Sequence, residues 1–276
     1  MSTSQLHDQS AQLAAFYTQL TQRVQEHPPE LARPLYIADR CCGWATHAAC
    51  DALKHVPQVQ VQADALRIGT GFTAGPELNA LLTHVAETLR SADCLRGWRN
   101  ELMDVTAADD WLGVIERAAM RPLGLLTRAV HLNAWTPDGR LWIARRALSK
   151  STDPGMWDTL VGGLVGTKED LEDALLRECA EEAGLAPACL AQRSPLRTIL
   201  RMHRRLPEGY QVEDLLTSTC VLPPDTQPAN QDGEVMEITH VTTSEAVRGI
   251  IDGEFTLEAA LVILEDITRR RAHGEI

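Results

Sequence analysis

The amino-acid sequence predicts an α/β protein in two parts, a small α/β N-terminal domain over 1–120 and a second α/β domain over 121–276. Three observations predict it. Strand-like and helix-like segments alternate along the whole chain. The pattern changes at Pro122, from short mixed elements to a run of hairpins and helices. A length of 276 residues holds one large or two ordinary domains, and 44% hydrophobic with 23% charged residues fits a soluble globular chain.

In the first part, Leu13, Phe16, Tyr17, Leu20 and Val24 keep helical spacing, so residues 8–27 read as an amphipathic helix that Pro28-Pro29 stops. LYIA at 35–38 reads as a short strand, Trp44 to Lys54 as a helix, and VQVQADALRI at 59–68 as strands around a turn. GTGFTAGPE is a loop, Glu77 to Arg90 a long helix, and Asp110–Ala119 a third helical segment after a strand or turn near Trp98. In the second part, residues 125–136 and RLWIARRA read as a hairpin around Pro137-Asp138-Gly139. TLVGGLVG reads as a short buried strand. RTILRMHRRL and YQVEDLLTSTCVL form another hairpin with PEG as its turn. A polar loop at 223–233, the strand EVMEITHV, the short helix SEAVRGIID and a C-terminal helix from Thr256 to Arg271 complete the order.

One stretch carries chemistry. GLVGTKEDLEDALLRECAEEAGL, residues 163–185, has no Pro or Gly from Glu169 to Ala183, and Leu171, Leu175, Cys179 and Ala183 form an apolar stripe at helical spacing. Thr167 is the expected N-cap, and Gly184 the expected C-terminal stop. Glu178, Glu181 and Glu182 stand at i, i+3 and i+4, neighbours on one helix face. An isolated run of this kind is most often a solvated acidic face. Here Arg177 precedes it, able to pair with Glu181 or to reach back to Glu169, and Gly162-Gly163 lies just upstream, where backbone approaches something closely or turns sharply. Clustered carboxylates of this spacing suit a hard divalent cation, which in turn suits a phosphate substrate.

The stretch resembles the Nudix box, G-x5-E-x7-R-E-U-x-E-E-x-G-U with U apolar. Gly163, Glu169, Arg177, Glu178, Glu181, Glu182 and Gly184 fall on its fixed positions, with Cys179 and Leu185 in the apolar slots. The resemblance implies a Nudix α/β/α sandwich with a mixed sheet over 121–276. It also implies Mg²⁺-dependent hydrolysis of a diphosphate, with Mn²⁺ as a substitute metal. The metal ligands would be Glu178, Glu181, Glu182 and the Gly163 carbonyl, with Arg177 and Glu169 completing the catalytic motif. The flanks VHLNAW, LWIARRALSK, DPGMWDTLVGGLVG and FTLEAALVILEDITRR resemble the Nudix subfamily related to thiamine pyrophosphokinase. That looser likeness implies a thiamine-type substrate, oxidised thiamine diphosphate cut to the monophosphate, with another nucleoside diphosphate derivative as the alternative, and an N-terminal accessory domain. Nudix enzymes often dimerise, so a homodimer is an expectation too.

Further candidates come from position. Arg145, Arg146 and Lys150 follow a strand and are candidate substrate clamps; alternation sends the two arginines to opposite faces. Trp157 is a candidate for stacking on a heteroaromatic ring, or for the core. Glu234 and Glu237 are candidate extra bases, or surface acids on an edge strand. Arg201, His203, Arg204 and Arg205 are a basic patch or a substrate rim, His131 reads as a core or edge histidine, and Gly43-Trp44 is open to substrate contact or to packing.

A formal charge of −12 disfavours non-specific nucleic-acid binding. Seven cysteines without a CxxC pair argue against zinc and for buried free thiols in a reducing compartment. The polar start MSTSQLHDQS lacks the look of a signal peptide, and no apolar run is long enough for a membrane span, so the expected location is cytoplasmic. Two competing readings remain at this stage. An isopentenyl-diphosphate-isomerase type would need a reactive cysteine early in the domain, where the chain reads HLNAWT. A non-catalytic ligand sensor would be expected to lose box carboxylates, and all are present.

Overall fold

The first helix, α1 (Thr3–Arg23), packs against the last one in the chain. In the computed structural model, which describes residues 3–108, 110–150 and 152–275, with residues 3–11 by backbone alone, Leu13, Leu20 and Val24 join the apolar cluster built around the C-terminal helix. Beyond α1 the backbone is clamped to a distant strand, Glu26 N–H donating to the His203 carbonyl at 2.9 Å. Helix α1 thus packs with the second core, apart from the core built by residues 35–125. The C-terminal helix is buried along most of its length and needs cover on its outer side, and the apolar stripe of α1 supplies it.

The following residues build a separate core. Strands β1 (Arg33–Ile37), β2 (Arg40–Ala45), β3 (Val59–Val61) and β4 (Leu66–Ile68) form a sheet in the order β2-β1-β4-β3, with α2 (His47–Ala52) between β2 and β3. Helix α3 (Pro76–Ser91) buries Leu78, Leu81, Leu82, Val85, Ala86 and Leu89, a stripe at three- and four-residue spacing. Two expectations are corrected here. The helix expected over Trp44 to Lys54 begins only at His47, because Thr46 caps it by accepting from Ala49 N–H at 3.2 Å. Trp44 lies in β2, opposite Pro34. The helix expected over Asp110–Ala119 is strand β6 (Asp110–Glu116), paired with β5 (Leu102–Ala107), ending in a single 3₁₀ turn at Arg117–Ala119. The Asn79 side chain accepts from Val114 N–H at 2.9 Å, and this tertiary contact overrides local helix propensity.

The second core lies on a seven-stranded mixed sheet. Its strands are β7 (Leu126–Trp135), β8 (Leu141–Arg146), β9 (Trp157–Thr159), β10 (Val161–Leu164), β11 (Arg197–Leu206), β12 (Gly209–Val221) and β13 (Val235–Val241). The main path runs β11-β12-β7-β8-β13, with β12 parallel to β7. The expected β7–β8 hairpin pairs at Trp135 and Leu141. Further along, β10 pairs with β7 and β9 with β8, so these short strands wedge the hairpin open. Helix α4 (Leu171–Ala183) covers one face through Ala174, Leu175, Cys179 and Ala183 against Val130 and Leu132. Helix α6 (Leu257–Ala272), preceded by the capped α5 (Thr243–Ile251), covers the other against Ala129, Trp135 and Leu215. The result is an α/β/α sandwich.

The seam between the two parts is made of backbone. Trp44 N–H donates to the Leu123 carbonyl at 3.1 Å and Thr46 N–H to that of Pro122 at 2.9 Å. Gly43 and Trp44 pack here. All seven cysteines are free, and among the described residues no helix is long and apolar enough to cross a membrane.

Candidate active site

Helix α4 starts at Asp170, whose side chain accepts from Glu172 N–H at 2.9 Å. The expected cap, Thr167, does something else. Its hydroxyl donates to Asp104 Oδ1 at 2.7 Å, and Lys168 N–H donates to Oδ2 of the same residue at 3.1 Å. The loop entering α4 is thus tied to strand β5. Gly184 ends the helix in the left-handed region (φ 63°), as expected of a C-terminal glycine.

Arg177 organises the acidic face. Nε and Nη2 bind the two oxygens of Glu169 at 2.7 and 2.9 Å, Nη1 binds Glu178 at 2.7 Å and Glu181 at 3.1 Å, and Nη2 also reaches the Leu164 carbonyl at 3.2 Å. Its bond to Glu169 holds that carboxyl below its ordinary pKa, and Gly166 N–H adds to the effect. The remaining glutamates differ by burial. Burial pushes the Glu178 pKa up against the pull of Arg177. Glu182 is buried at 6% exposure, and burial pushes it up to about 8, although Gly162 N–H donates to it at 2.9 Å. Glu181 is half exposed.

Two glycines bring these carboxylates to the sheet. A Cβ on Gly163 would meet the Glu178 carboxyl at 2.0 Å, and one on Gly162 would meet His131 Nδ1 at 2.8 Å. Bare backbone at Gly163 lets α4 press Glu178 so close, while bare backbone at Gly162 leaves room for His131. On the sheet's α6 side, these same glycines line a cavity of about 410 Å³.

The cavity sorts the sequence candidates. Arg146 and Lys150 line it; Arg146 binds Asp158 at 2.9 Å and the Thr152 carbonyl, and Lys150 pairs with Glu234. Arg145 and Trp157 do not line it. Arg145 binds the Gly155 carbonyl at 3.0 Å and stacks over the Trp157 ring at 5.6 Å, while Trp157 packs on the α6 cluster. Of the three candidate clamp residues, Arg146 and Lys150 line the cavity and Arg145 does not, in keeping with the alternation along β8. Glu234 and Glu237 separate likewise: Glu234 lines a small recess with Glu182 and Lys150, whereas Glu237 pairs with Arg145. Of the basic run on β11, Arg204 lines the cavity and binds Glu258 at 3.0 Å, while Arg201 turns to Asp214. Sequence reasoning missed Gln211, Glu213, Arg96, Arg117 and Arg121, which also line the cavity. Polar residues at 211 and 213 alternate inward on a strand whose neighbours are apolar, which is the one signal available.

Among the described residues, no group of three or more His, Cys, Asp or Glu side chains is arranged to hold a metal ion. The Arg177 guanidinium stands among Glu169, Glu178 and Glu181 and draws their oxygens to itself. The donor chemistry still fits a hard divalent cation, being oxygen donors of carboxylates set beside a glycine strand. The raised Glu178 and Glu182, each pushed up by burial and Glu182 also by Glu178, are groups that a cation would relieve.

Sandwich, acidic helix and glycine strand together define a Nudix-type domain carrying an N-terminal extension. Residues 125–262 match the NUDIX domain, half of the chain, and residues 15–127 match a domain of unknown function (DUF4743). The chain belongs to the Nudix family. It is 31% identical over 205 residues to Nudix hydrolase 24, chloroplastic, of Arabidopsis thaliana, covering 72% of this chain and 55% of that protein. It is 32% identical over 122 residues to an isopentenyl-diphosphate Delta-isomerase of Kocuria rhizophila, covering 44% and 66%. The chain thus spans about half the length of the plant relative. Among solved structures, DR0079 from Deinococcus radiodurans superposes with a TM-score of 0.44 at 26% identity, covering 62% of this chain and 98% of that one.

Proposed function

We propose that this protein hydrolyses the diphosphate linkage of a small organic diphosphate with the help of Mg²⁺ or Mn²⁺, and that the substrate is thiamine-type, oxidised thiamine diphosphate cut to the monophosphate. The observation that carries the reaction class is the placement of Glu178 and Glu182 directly against Gly163 and Gly162. The thiamine-type substrate rests on the flanking sequence likeness.

Glu178, Glu181, Glu182 and the Gly163 carbonyl would hold the cation, which masks phosphate charge and makes water easier to ionise. Arg177 is a positioning residue: its bidentate hold on Glu169 fixes the loop before α4, and its third arm holds Glu178. Arg146 and Lys150 meet phosphate oxygens from the cavity side. Lys150 is paired with Glu234. A phosphate that takes over Lys150 releases Glu234, which then accepts the proton of the attacking water.

The test is release of phosphate or monophosphate from a panel of thiamine diphosphates, dinucleotides and nucleotide sugars with Mg²⁺, beside Glu181→Gln and Glu182→Gln variants. Turnover by the wild type with loss in the variants supports the reading; equal inertness of all three across the panel sinks it. The partial likeness to an isomerase leaves one alternative, read as an isomerised product when isopentenyl diphosphate is added to the panel. The cavity lining argues against it, since no cysteine is among the lining residues.

A further inference from the structure

The N-terminal part of the chain closes one side of the cavity with arginines. Two segments carry them: the loop after α3, with Arg96 and Arg99, and the stretch that follows β6, with Arg117 and Arg121. Hydrogen bonds hold the two segments side by side. Arg117 N–H donates to the Glu101 carbonyl at 2.8 Å, and Arg99 N–H donates to the buried carboxylate of Glu116 at 2.7 Å. All four arginines line a recess of about 100 Å³. Arg96, Arg117 and Arg121 also line the larger cavity beside Gly162, so the recess adjoins it. Arg146 and Lys150 do not line the recess.

The charges there do not balance. Glu208 and Glu213 are the acidic residues of the lining. Glu208 is shared, binding Arg121 closely and Arg96 at 3.7 Å. Glu213 is buried, and burial pushes its carboxyl toward the uncharged form. Arg117 pairs with Glu101 at 2.7 Å, a partly exposed pair of the kind that contributes little and exchanges readily. Four arginines in one concave site are therefore a local excess of positive charge, in a chain whose formal charge is −12. Like charges crowded together repel, and an anion between them turns the repulsion into attraction. The size points to a small anion, since pockets for organic ligands measure about 300–1,000 Å³. Guanidinium groups match the oxygens of a phosphate with paired N–H donors.

We propose that this recess is an anion subsite for a phosphate group, built by the N-terminal part of the chain and separate from Arg146 and Lys150. The phosphate comes from one of two sources. It is a second phosphate on a ligand that lies in the cavity, or it is free inorganic phosphate, which the proposed hydrolysis of a diphosphate to a monophosphate releases. Occupancy of the recess does not depend on the diphosphatase reading.

Binding tests the subsite without turnover. Inorganic phosphate is titrated calorimetrically into the full chain, stripped of metal on a chelating resin, with chloride at matched ionic strength as the reference. Saturable binding of phosphate over chloride is expected. Arg96→Gln combined with Arg117→Gln removes two partly exposed side chains and is expected to weaken it by about tenfold or more. Arg201→Gln removes a charge that turns to Asp214, and is expected to leave it unchanged. Should the double variant fail to fold, the two single variants carry the comparison. Hexanediol bisphosphate and hexyl phosphate then separate the sources. A bisphosphate that binds about tenfold tighter than hexyl phosphate, with the gain lost in the arginine variant, assigns the subsite to a ligand with phosphates at both ends. Equal affinity of the two, with inorganic phosphate still bound, assigns it to free phosphate. Phosphate binding without any diphosphatase activity leaves the subsite standing and removes the hydrolase reading alone. No phosphate binding above chloride, undiminished binding in the folded arginine variants, or an equal loss in Arg201→Gln overturns the proposal.

Discussion

Glu178 lies so close against Gly163 that a Cβ there would sit 2.0 Å from its carboxyl carbon. The obstructing atoms are the far end of a flexible side chain, so Gly163→Ala is accommodated by displacing the carboxylate, with the strand left in place. The expected outcome is a folded protein with a melting temperature near that of the wild type and activity lowered by roughly 100-fold, since a misplacement of about 1 Å at a reacting centre costs that much. Steady-state kinetics beside a thermal melt check it. An alanine variant with full activity would mean that Glu178 does not work from this position.

Glu182 predicts a conflict between stability and function. Burial raises its carboxyl from the ordinary 4.5 to about 8. A group with a raised pKa takes up a proton on folding, so its protonated form favours the folded state. That advantage is fully present below about pH 4.5 and is lost progressively as pH rises to about 8. Glu182→Gln does not titrate and escapes the loss. The variant should melt higher than the wild type at pH 9, by roughly 3 °C or more, with the gap closing as the pH is lowered toward 4.5. Added Mg²⁺ should raise the wild-type melting temperature at pH 8 and leave the variant largely unmoved. A gap that widens toward acid contradicts the assigned shift.

Local patterns made much of this structure legible. The α4 stripe, its glycine stop and the pairing of Arg177 with Glu181 follow from spacing along one helix, whereas Glu169 lies ahead of the Asp170 cap and is met by the long Arg177 side chain. The alternation on β8 correctly separates Arg145 from Arg146 but does not say which of them faces the cavity; that depends on where α6 packs. The strand state of β6 depends on pairing with β5 and on Asn79, neither of which the local sequence of Asp110–Ala119 shows. The wedge of β9 and β10 into the β7–β8 hairpin, and the inward-facing Gln211 and Glu213, are products of pairing between segments far apart in the chain. No sequence window contains them.

Asp104 predicts a link between the two parts of the chain. It accepts from Trp111 Nε1 at 2.8 Å, from the Thr167 hydroxyl at 2.7 Å and from Lys168 N–H at 3.1 Å. Asp104→Asn keeps one oxygen and turns an N–H₂ group toward one of these donors. Loss of a hydrogen bond to a charged group costs about 1.5–3 kcal/mol. The cost falls on the loop that enters α4. Amide exchange at residues 166–170 should therefore quicken by roughly tenfold or more, with a smaller change in the global melting temperature. Unchanged exchange in that loop would show that β5 does not hold it.

Glu234 and Glu237 share strand-edge exposure and sequence neighbourhood, yet the structure gives them different partners. Glu234 pairs with Lys150 in the recess that also contains Glu182, and its charge contributes to the raised Glu178. Glu237 faces Arg145 at 3.7 Å, on the side of β8 where Trp157 packs. A proton acceptor for the attacking water must lie near the α4 carboxylates, and only Glu234 shares a recess with Glu182, so the two glutamates make a matched pair of probes. Glu234→Gln should lower kcat by about 10²–10⁴-fold, the usual contribution of a general base, and should leave the acid limb of the pH–rate profile altered. Glu237→Gln should keep kcat within about twofold, because an exposed ion pair contributes little. Equal losses in the two variants would assign the effect to the edge strand as a whole; full activity in Glu234→Gln would move the proton to one of the α4 glutamates.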